Sequence, residues 1–221
     1  MVDIENYVER LLVLLIRQYG KRLVYVGLQG SYYRGEANNA SDIDIMAVID
    51  GLCISDLDSY RSILSSLEAS ARPCGFICSK TDLANWNPLE ACHLLNSTKD
   101  CYGVLKPLLP VYTQQDIQNF VKLSINNLYH EICHRYIYSG YEKSRLRLPD
   151  VYKSAFFILQ NLYYLKHGEF IRTKMQLLTL LSGKDKAVLE HSISLNNAET
   201  YDFAESFTLL FTWCQDTLAN L

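Results

Sequence analysis

Ile4, Tyr7, Val8, Leu11, Leu12 and Leu15 recur at the spacing of one helical face, and the pattern stops at Gly20, so it predicts an amphipathic helix at the start of the chain. Two short apolar runs follow. Leu23 to Val26 leads into Gly27, Gly30 and Ser31, and Ile43 to Ile49 ends at Asp50-Gly51; both predict buried strands. Ser55, with Asp56 and Asp58 in the first turn, predicts a helix running to about Ala69, and Cys74 to Ser79, following Pro73, predicts a third strand. The order helix, strand, turn, strand, helix, strand is that of an α/β unit.

From about Pro88 the strand-like runs give way to helical periodicity. The expected helices are Leu89 to Ser97, Gln114 to Tyr138, Val151 to Lys166, Ile171 to Leu181, Lys184 to Ser194 and Tyr201 to Leu218. Breaks are expected at Pro107, Pro110, Gly140, Pro149, Gly168 and Gly183. The fold class is therefore α+β, with an N-terminal α/β domain at residues 1–110 and a C-terminal helical bundle at 111–221. The boundary is placed near Pro107 to Tyr112, where two prolines stand close together.

Composition narrows the function classes. With 49% apolar and 20% charged residues, the chain can bury a core and is too hydrophobic to be disordered. No stretch approaches the roughly 20 apolar residues of a bilayer span, and Asp3, Glu5 and Glu9 stand where a secretory signal would be basic and then apolar, so the expected location is the cytoplasm. The seven cysteines then read as reduced thiols, with Cys74, Cys78 and Cys92 as buried ones. Residues 1–112 hold 10 basic against 13 acidic side chains and residues 113–221 hold 11 of each, so neither half has the cationic excess needed to track a long nucleic acid. The sequence leaves both a monomer and a homodimer open.

The stretch that carries chemistry runs from Gly27 to Ile45. Asp42 and Asp44 alternate on a predicted strand, so both carboxylates point to one face, where they can share a hard divalent cation such as Mg²⁺. Gly30-Ser31 lies between a strand and a short helix, where backbone N–H groups and a hydroxyl can hold a phosphate tail, and Arg34 lies one turn further on. Together these parts predict a metal-dependent phosphate site.

A Gly-Ser pair followed after ten residues by Asp-x-Asp on a strand resembles the signature of the nucleotidyltransferase superfamily that includes DNA polymerase beta. Arg34-Gly35 and Ser41-Asp42-Ile43-Asp44 are most similar to the minimal nucleotidyltransferases and to the enzymes that adenylylate aminoglycosides or lincosamides. The resemblance implies a nucleotidyltransferase-type first domain with a small mixed sheet. It implies Asp42 and Asp44 as catalytic metal ligands for Mg²⁺, and Gly30, Ser31 and Arg34 as nucleotide-binding residues. The implied reaction moves a nucleoside monophosphate from a nucleoside triphosphate, ATP in particular, to a hydroxyl of a small molecule or protein. The resemblance also implies a third carboxylate on the following strand, near Gly75, where this chain has none; Asp82 and Glu36 are the nearest substitutes. An acid introduced at Gly75 is expected to join the pair if Gly75 shares their face. The missing acid supports the alternative of a degenerate member that binds nucleotide as a regulatory module.

His130-Glu131-Ile132-Cys133-His134 is a literal H-E-x-x-H, the pattern of zinc peptidases. Its third ligand is unspecified, with Glu142 and Glu169 the nearest downstream acids, and the helix is expected to bind no zinc. Because the resemblance implies a carboxylate base from a helix of the second domain, Glu131 is the candidate general base. The tyrosines between Tyr129 and Tyr164 are read as core packing.

Overall fold

The computed structural model describes residues 2–67, 72–195 and 200–221, which fall into two compact units, divided along the chain between Tyr112 and Thr113. In the first unit, helix α1 (Ile4–Tyr19) starts where the Asp3 carboxylate accepts from the Asn6 N–H and ends at Gly20, whose φ of 54° suits glycine. Strand β1 (Leu23–Leu28), helix α2 (Gly30–Arg34), strand β2 (Ile43–Ile49), helix α3 (Ile54–Ser66) and strand β3 (Pro73–Cys78) follow. The last predicted residues of α3, up to Ala69, lie outside the described residues. Helices α4 (Lys80–Ala84) and α5 (Pro88–Ser97) then lead to strand β4 (Lys99–Tyr102).

The sheet is mixed, in the order β3-β2-β1-β4, with β1 antiparallel to both β2 and β4 and β2 parallel to β3. β2 is internal and buried on both faces, which is why its sequence is a nearly continuous apolar run. Ile43 and Ile45 face Leu11 and Leu15 of α1 and partly buried residues of α3. On the other face Met46 and Val48 pack with Tyr25, Cys78, Leu83 and Leu105. Asp44 shares this second face by the two-residue period and stands just beyond its apolar cluster.

The expectation that strands end near Pro88 is overturned by β4. Its four residues, Lys99 to Tyr102, contain no apolar run, because an edge strand forms by backbone pairing and gains solubility from charge. α4 was likewise not predicted; it is one short turn closed by Ser79 and Asp82, which cap each other's backbone N–H groups.

The second unit is wholly helical among its described residues: α6 (Gln114–Tyr138), α7 (Tyr141–His167), α8 (Lys174–Leu180), α9 (Gly183–Leu195) and α10 (Phe203–Ala219). Val121, Ile125, Leu128 and Ile132 form the buried stripe of α6, and they pack in one core with Tyr152, Phe156 and Leu159 of α7, Leu189 of α9 and Trp213 of α10. Pro149 does not break this bundle. α7 runs through it, although proline removes the N–H that would bond the Arg145 carbonyl four residues back. The Tyr201 hydroxyl donates to that carbonyl instead, so the orphaned acceptor is satisfied from outside the helix. The expected core role of the tyrosines holds for Tyr152, whereas Tyr136, Tyr138 and Tyr141 are exposed. No helix among the described residues is long and apolar enough to cross a membrane.

Candidate functional site

The site is built where β1 ends beside the start of β2. The Gln29 N–H donates to the Asp44 carbonyl at 2.8 Å, and its side-chain amide donates to the Thr98 hydroxyl at 2.8 Å. This ties the turn after β1 to β2 on one side and to the approach of β4 on the other. Gly30 follows at a φ of 66°, and a Cβ placed on it would lie 1.8 Å from Asp44 Oδ2. Only glycine permits this backbone to lie directly against the Asp44 carboxylate. The structure thus brings Gly30 and Asp44 into contact and sets Ser31, partly buried, next to them at the start of α2.

α2 is a single turn ended by Gly35 at a φ of 72°, and Arg34 is its last residue. Arg34 Nε donates to Glu36 Oε2 at 2.8 Å, with side-chain exposures of 14% and 22% that mark a well-shielded pair. The Arg34 charge acts on Asp44 and on His93 of α5. His93 is partly buried, and burial, with the Arg34 charge adding to it, pushes its pKa down to about 4. It is therefore a neutral imidazole beside the site at pH 7. Sequence reasoning missed it because 59 positions separate His93 from Arg34 and only the fold joins them.

Asp42 precedes β2 and is exposed, with Oδ1 3.0 Å from Arg72 Nε, while Arg72 also donates to the Ala40 carbonyl at 2.8 Å. A pair so open to water contributes little stability, so releasing the Asp42 carboxylate from Arg72 is inexpensive. Asp44 is half-buried. Burial raises its pKa above the usual carboxylate range and the Asp42 charge raises it further, while the Cys74 thiol, as hydrogen-bond partner, and Arg34 lower it.

The donor set fits a hard cation. Two neighbouring carboxylates, one disfavoured as a bare anion, gain from a divalent charge, and Mg²⁺ commonly takes one or two carboxylates and completes its shell with phosphate oxygens and water. Among the described residues no group of three His, Cys, Asp or Glu side chains is arranged to hold a metal.

The place expected for a third acid requires correction. β3 pairs with β2 so that Cys74 is opposite Asp44 and Gly75 opposite Ile45, which puts Gly75 out of step with the Asp44 side chain. Gly75 has a φ of 133°, and a Cβ there would lie 2.0 Å from the Ile45 carbonyl oxygen, so an acid at 75 meets backbone rather than the site. The residue that faces Asp44 is Cys74, which is exposed rather than buried as expected. Neither proposed substitute is free for the role. The Asp82 carboxylate accepts from the Ser79 N–H at 2.9 Å, and Glu36 holds Arg34. β4 adds an unforeseen acid, Asp100, opposite Gly27, whose carboxylate accepts from the Tyr25 hydroxyl at 2.7 Å.

Glu131 belongs to the second unit, where Oε1 accepts from Arg135 Nε at 2.8 Å. His130 and His134 are exposed on α6 with ring centroids 5.9 Å apart.

No protein-family model matches the chain, and no curated protein sequence is significantly similar to it. Among solved structures, the spectinomycin adenyltransferase AAD(9) of Enterococcus faecialis, crystallised with ATP and spectinomycin, matches with a TM-score of 0.60 at 12% identity. The match covers 97% of this chain and 99% of that one. At this identity the likeness establishes the fold alone: over nearly its whole length the chain shares the fold of that adenyltransferase.

Proposed function

We propose that the protein is a nucleotidyltransferase that takes a nucleoside monophosphate from ATP and joins it to a hydroxyl of a small molecule or a protein side chain in the cytoplasm. The observation that carries this reading is the seat of Gly30 against Asp44, where a single added carbon would collide with the carboxylate. Such closeness between a Gly-Ser turn and an acid has no value for packing, since it brings a half-buried anion against backbone. It has value if phosphate and metal are bound together. The fold likeness to an adenyltransferase crystallised with ATP and spectinomycin supports the same reading.

In the proposed reaction Ser31 and the Gly30 backbone hold the triphosphate, and Arg34, kept in place by Glu36, meets its negative charge. Asp42 and Asp44 are the residues that would hold Mg²⁺. When bound, the ion neutralises charge on the reacting phosphate and the leaving group. The acceptor oxygen forms a bond to the α-phosphorus, the α–β bridging bond breaks, and pyrophosphate leaves with the electron pair. Glu131 is the proposed acceptor of the hydroxyl proton.

A second reading, nucleotide binding without transfer, is favoured by one observation: the residue opposite Asp44 on β3 is Cys74 rather than an acid. Incubation with α-labelled ATP, Mg²⁺, a panel of aminocyclitol and aminoglycoside antibiotics and a cell extract separates the two. Label on an acceptor, lost in Asp42→Asn/Asp44→Asn and reduced in Glu131→Gln, supports the enzyme. Metal-dependent ATP binding without transfer to any acceptor supports the binding protein. Unchanged ATP affinity in the double variant overturns both.

A further inference from the structure

A groove follows the seam of α6 and α7 in the second unit, as two depressions of about 270 and 210 Å³ that share Glu131 and Ser154. In the larger one the apolar lining is buried Leu128 and Ile158 with the exposed ring of Phe157, and the uncharged polar lining is Ser124, Asn127 and Ser154. Those three side chains behave unlike others on the helices of this chain. Ser59, Ser62, Ser65 and Thr208 each donate to the carbonyl one turn back, at 2.7–3.0 Å. The Ser124 and Ser154 hydroxyls and the Asn127 amide make no hydrogen bond among the described residues, so their donors and acceptors are open to the groove.

The second observation is charge. The charged side chains of the groove are Glu131 and Asp150 against Arg135 and Arg147, and both acids are engaged. Glu131 Oε1 accepts from Arg135 Nε at 2.8 Å, and Asp150 Oδ1 from Lys153 Nζ at 2.7 Å. No net negative field draws a polycation here, and an ammonium group would find each carboxylate already facing a cation. An exposed ring with an apolar floor, together with unbonded hydroxyl and amide groups, suits a ligand that has a C–H face and a rim of hydroxyls.

We infer that the groove binds a neutral polyhydroxylated ring, a sugar or a cyclitol without amino groups, and that this is the acceptor class of the proposed transfer. The inference rests on the reading of Glu131 as base and deepens it. Glu131 is the one carboxylate among the described residues that lines the larger depression, so the hydroxyls of a ring seated on Phe157 share that depression with the proton acceptor. The acceptor oxygen bonds to the α-phosphorus, pyrophosphate leaves with the electron pair, and the hydroxyl proton passes to Glu131.

The experiment is a calorimetric titration of the full chain, without nucleotide, with a panel of neutral mono- and disaccharides and myo-inositol, and with glucosamine and streptamine as amino-bearing counterparts. A neutral compound that binds with little dependence on salt, and on the order of tenfold more weakly in Phe157→Ala and in Asn127→Ala, is the expected result. Should Phe157→Ala not fold, Phe157→Leu keeps apolar bulk and removes the ring. Affinity unchanged in both variants seats the sugar elsewhere and overturns the inference, as does binding of the amino compounds alone or of no compound. Transfer is read separately: Asp42→Asn/Asp44→Asn should keep the sugar affinity and lose transfer of label from α-labelled ATP. A polyol that binds the unaltered protein but receives no label defeats the transferase reading and the acceptor role with it, while the titration alone judges the groove.

Discussion

Two stretches of this chain match short chemical motifs equally well on paper, and the fold treats them in opposite ways. The stretch from Gly30 to Asp44 is folded back on itself until backbone touches carboxylate, with Arg34, Glu36, His93 and Cys74 gathered around it from α2, the following loop, α5 and β3. The stretch from His130 to His134 lies along one helix face, its two imidazoles in solvent and its glutamate on the neighbouring Arg135. The first places charge and backbone where they are uncomfortable without a ligand; the second is at rest. A motif earns attention when the fold makes it strained or close, because helical spacing alone brings residues four apart onto one side at no cost.

Substitutions should therefore bite in the first stretch, and those of the two histidines should pass unnoticed in the second. The largest effect is expected from Gly30→Ala, which adds a carbon 1.8 Å from Asp44 Oδ2 at a left-handed φ. Loss of stability of about 3 kcal/mol or more is expected in denaturant unfolding, with loss of ATP binding in calorimetry. Next comes acid. Folding holds His93 neutral down to about pH 4, whereas in the unfolded chain it takes up a proton near pH 6.5. The unfolded state thus binds more protons between these values, and stability falls as pH falls through that window, by on the order of 2 kcal/mol. In His93→Gln that part of the pH dependence should vanish from a series of unfolding curves.

A smaller change of opposite sign is expected from Asp44→Asn. The raised pKa of Asp44 means that its ionised form is disfavoured in the folded protein, so the stability cost grows as pH rises through its folded pKa and is present at pH 7. A neutral isostere relieves it, and the metal-free protein should gain about 0.5–1 kcal/mol while losing metal-dependent ATP binding. Thermal unfolding with and without Mg²⁺–ATP reads both. Smallest of all, His130→Ala/His134→Ala should move stability by no more than about 0.5 kcal/mol, as expected for exposed side chains. Stoichiometric zinc in the purified protein that disappears from this pair variant would erase the contrast between the two stretches.

Residues that announce themselves locally were legible in advance. The helical periodicity of residues 114–138 predicts α6 with the bounds it has, and the structure closes its start with a capping box of Thr113 and Asp116. Gly30, Ser31, Asp42 and Asp44 could be singled out because their spacing within one hairpin-like segment is itself the signal. What the sequence withheld depends on pairing between distant segments. Nothing in Arg72-Pro73-Cys74-Gly75 says whether Cys74 or Gly75 faces Asp44, since a shift of one residue exchanges the two faces of a strand. Lys99 to Tyr102 lacks the apolar run by which strands are found, and His93 meets Arg34 only after α5 has packed. The misplaced start of α7 has another origin: proline was read as a stop, and the acceptor it orphans was filled from elsewhere.

That repair across 56 positions has a consequence for the order of folding. A helix is ordinarily the most local of structures and can form before its neighbours arrive, but the turn of α7 around Pro149 lacks its internal bond until the segment carrying Tyr201 docks. The N-terminal part of α7 should therefore become fully protected from hydrogen exchange only when α10 has joined the bundle, and Tyr201→Phe should speed opening of that turn more than it slows its formation. One hydroxyl makes the longest helix of the protein a late, collective product instead of an early local one.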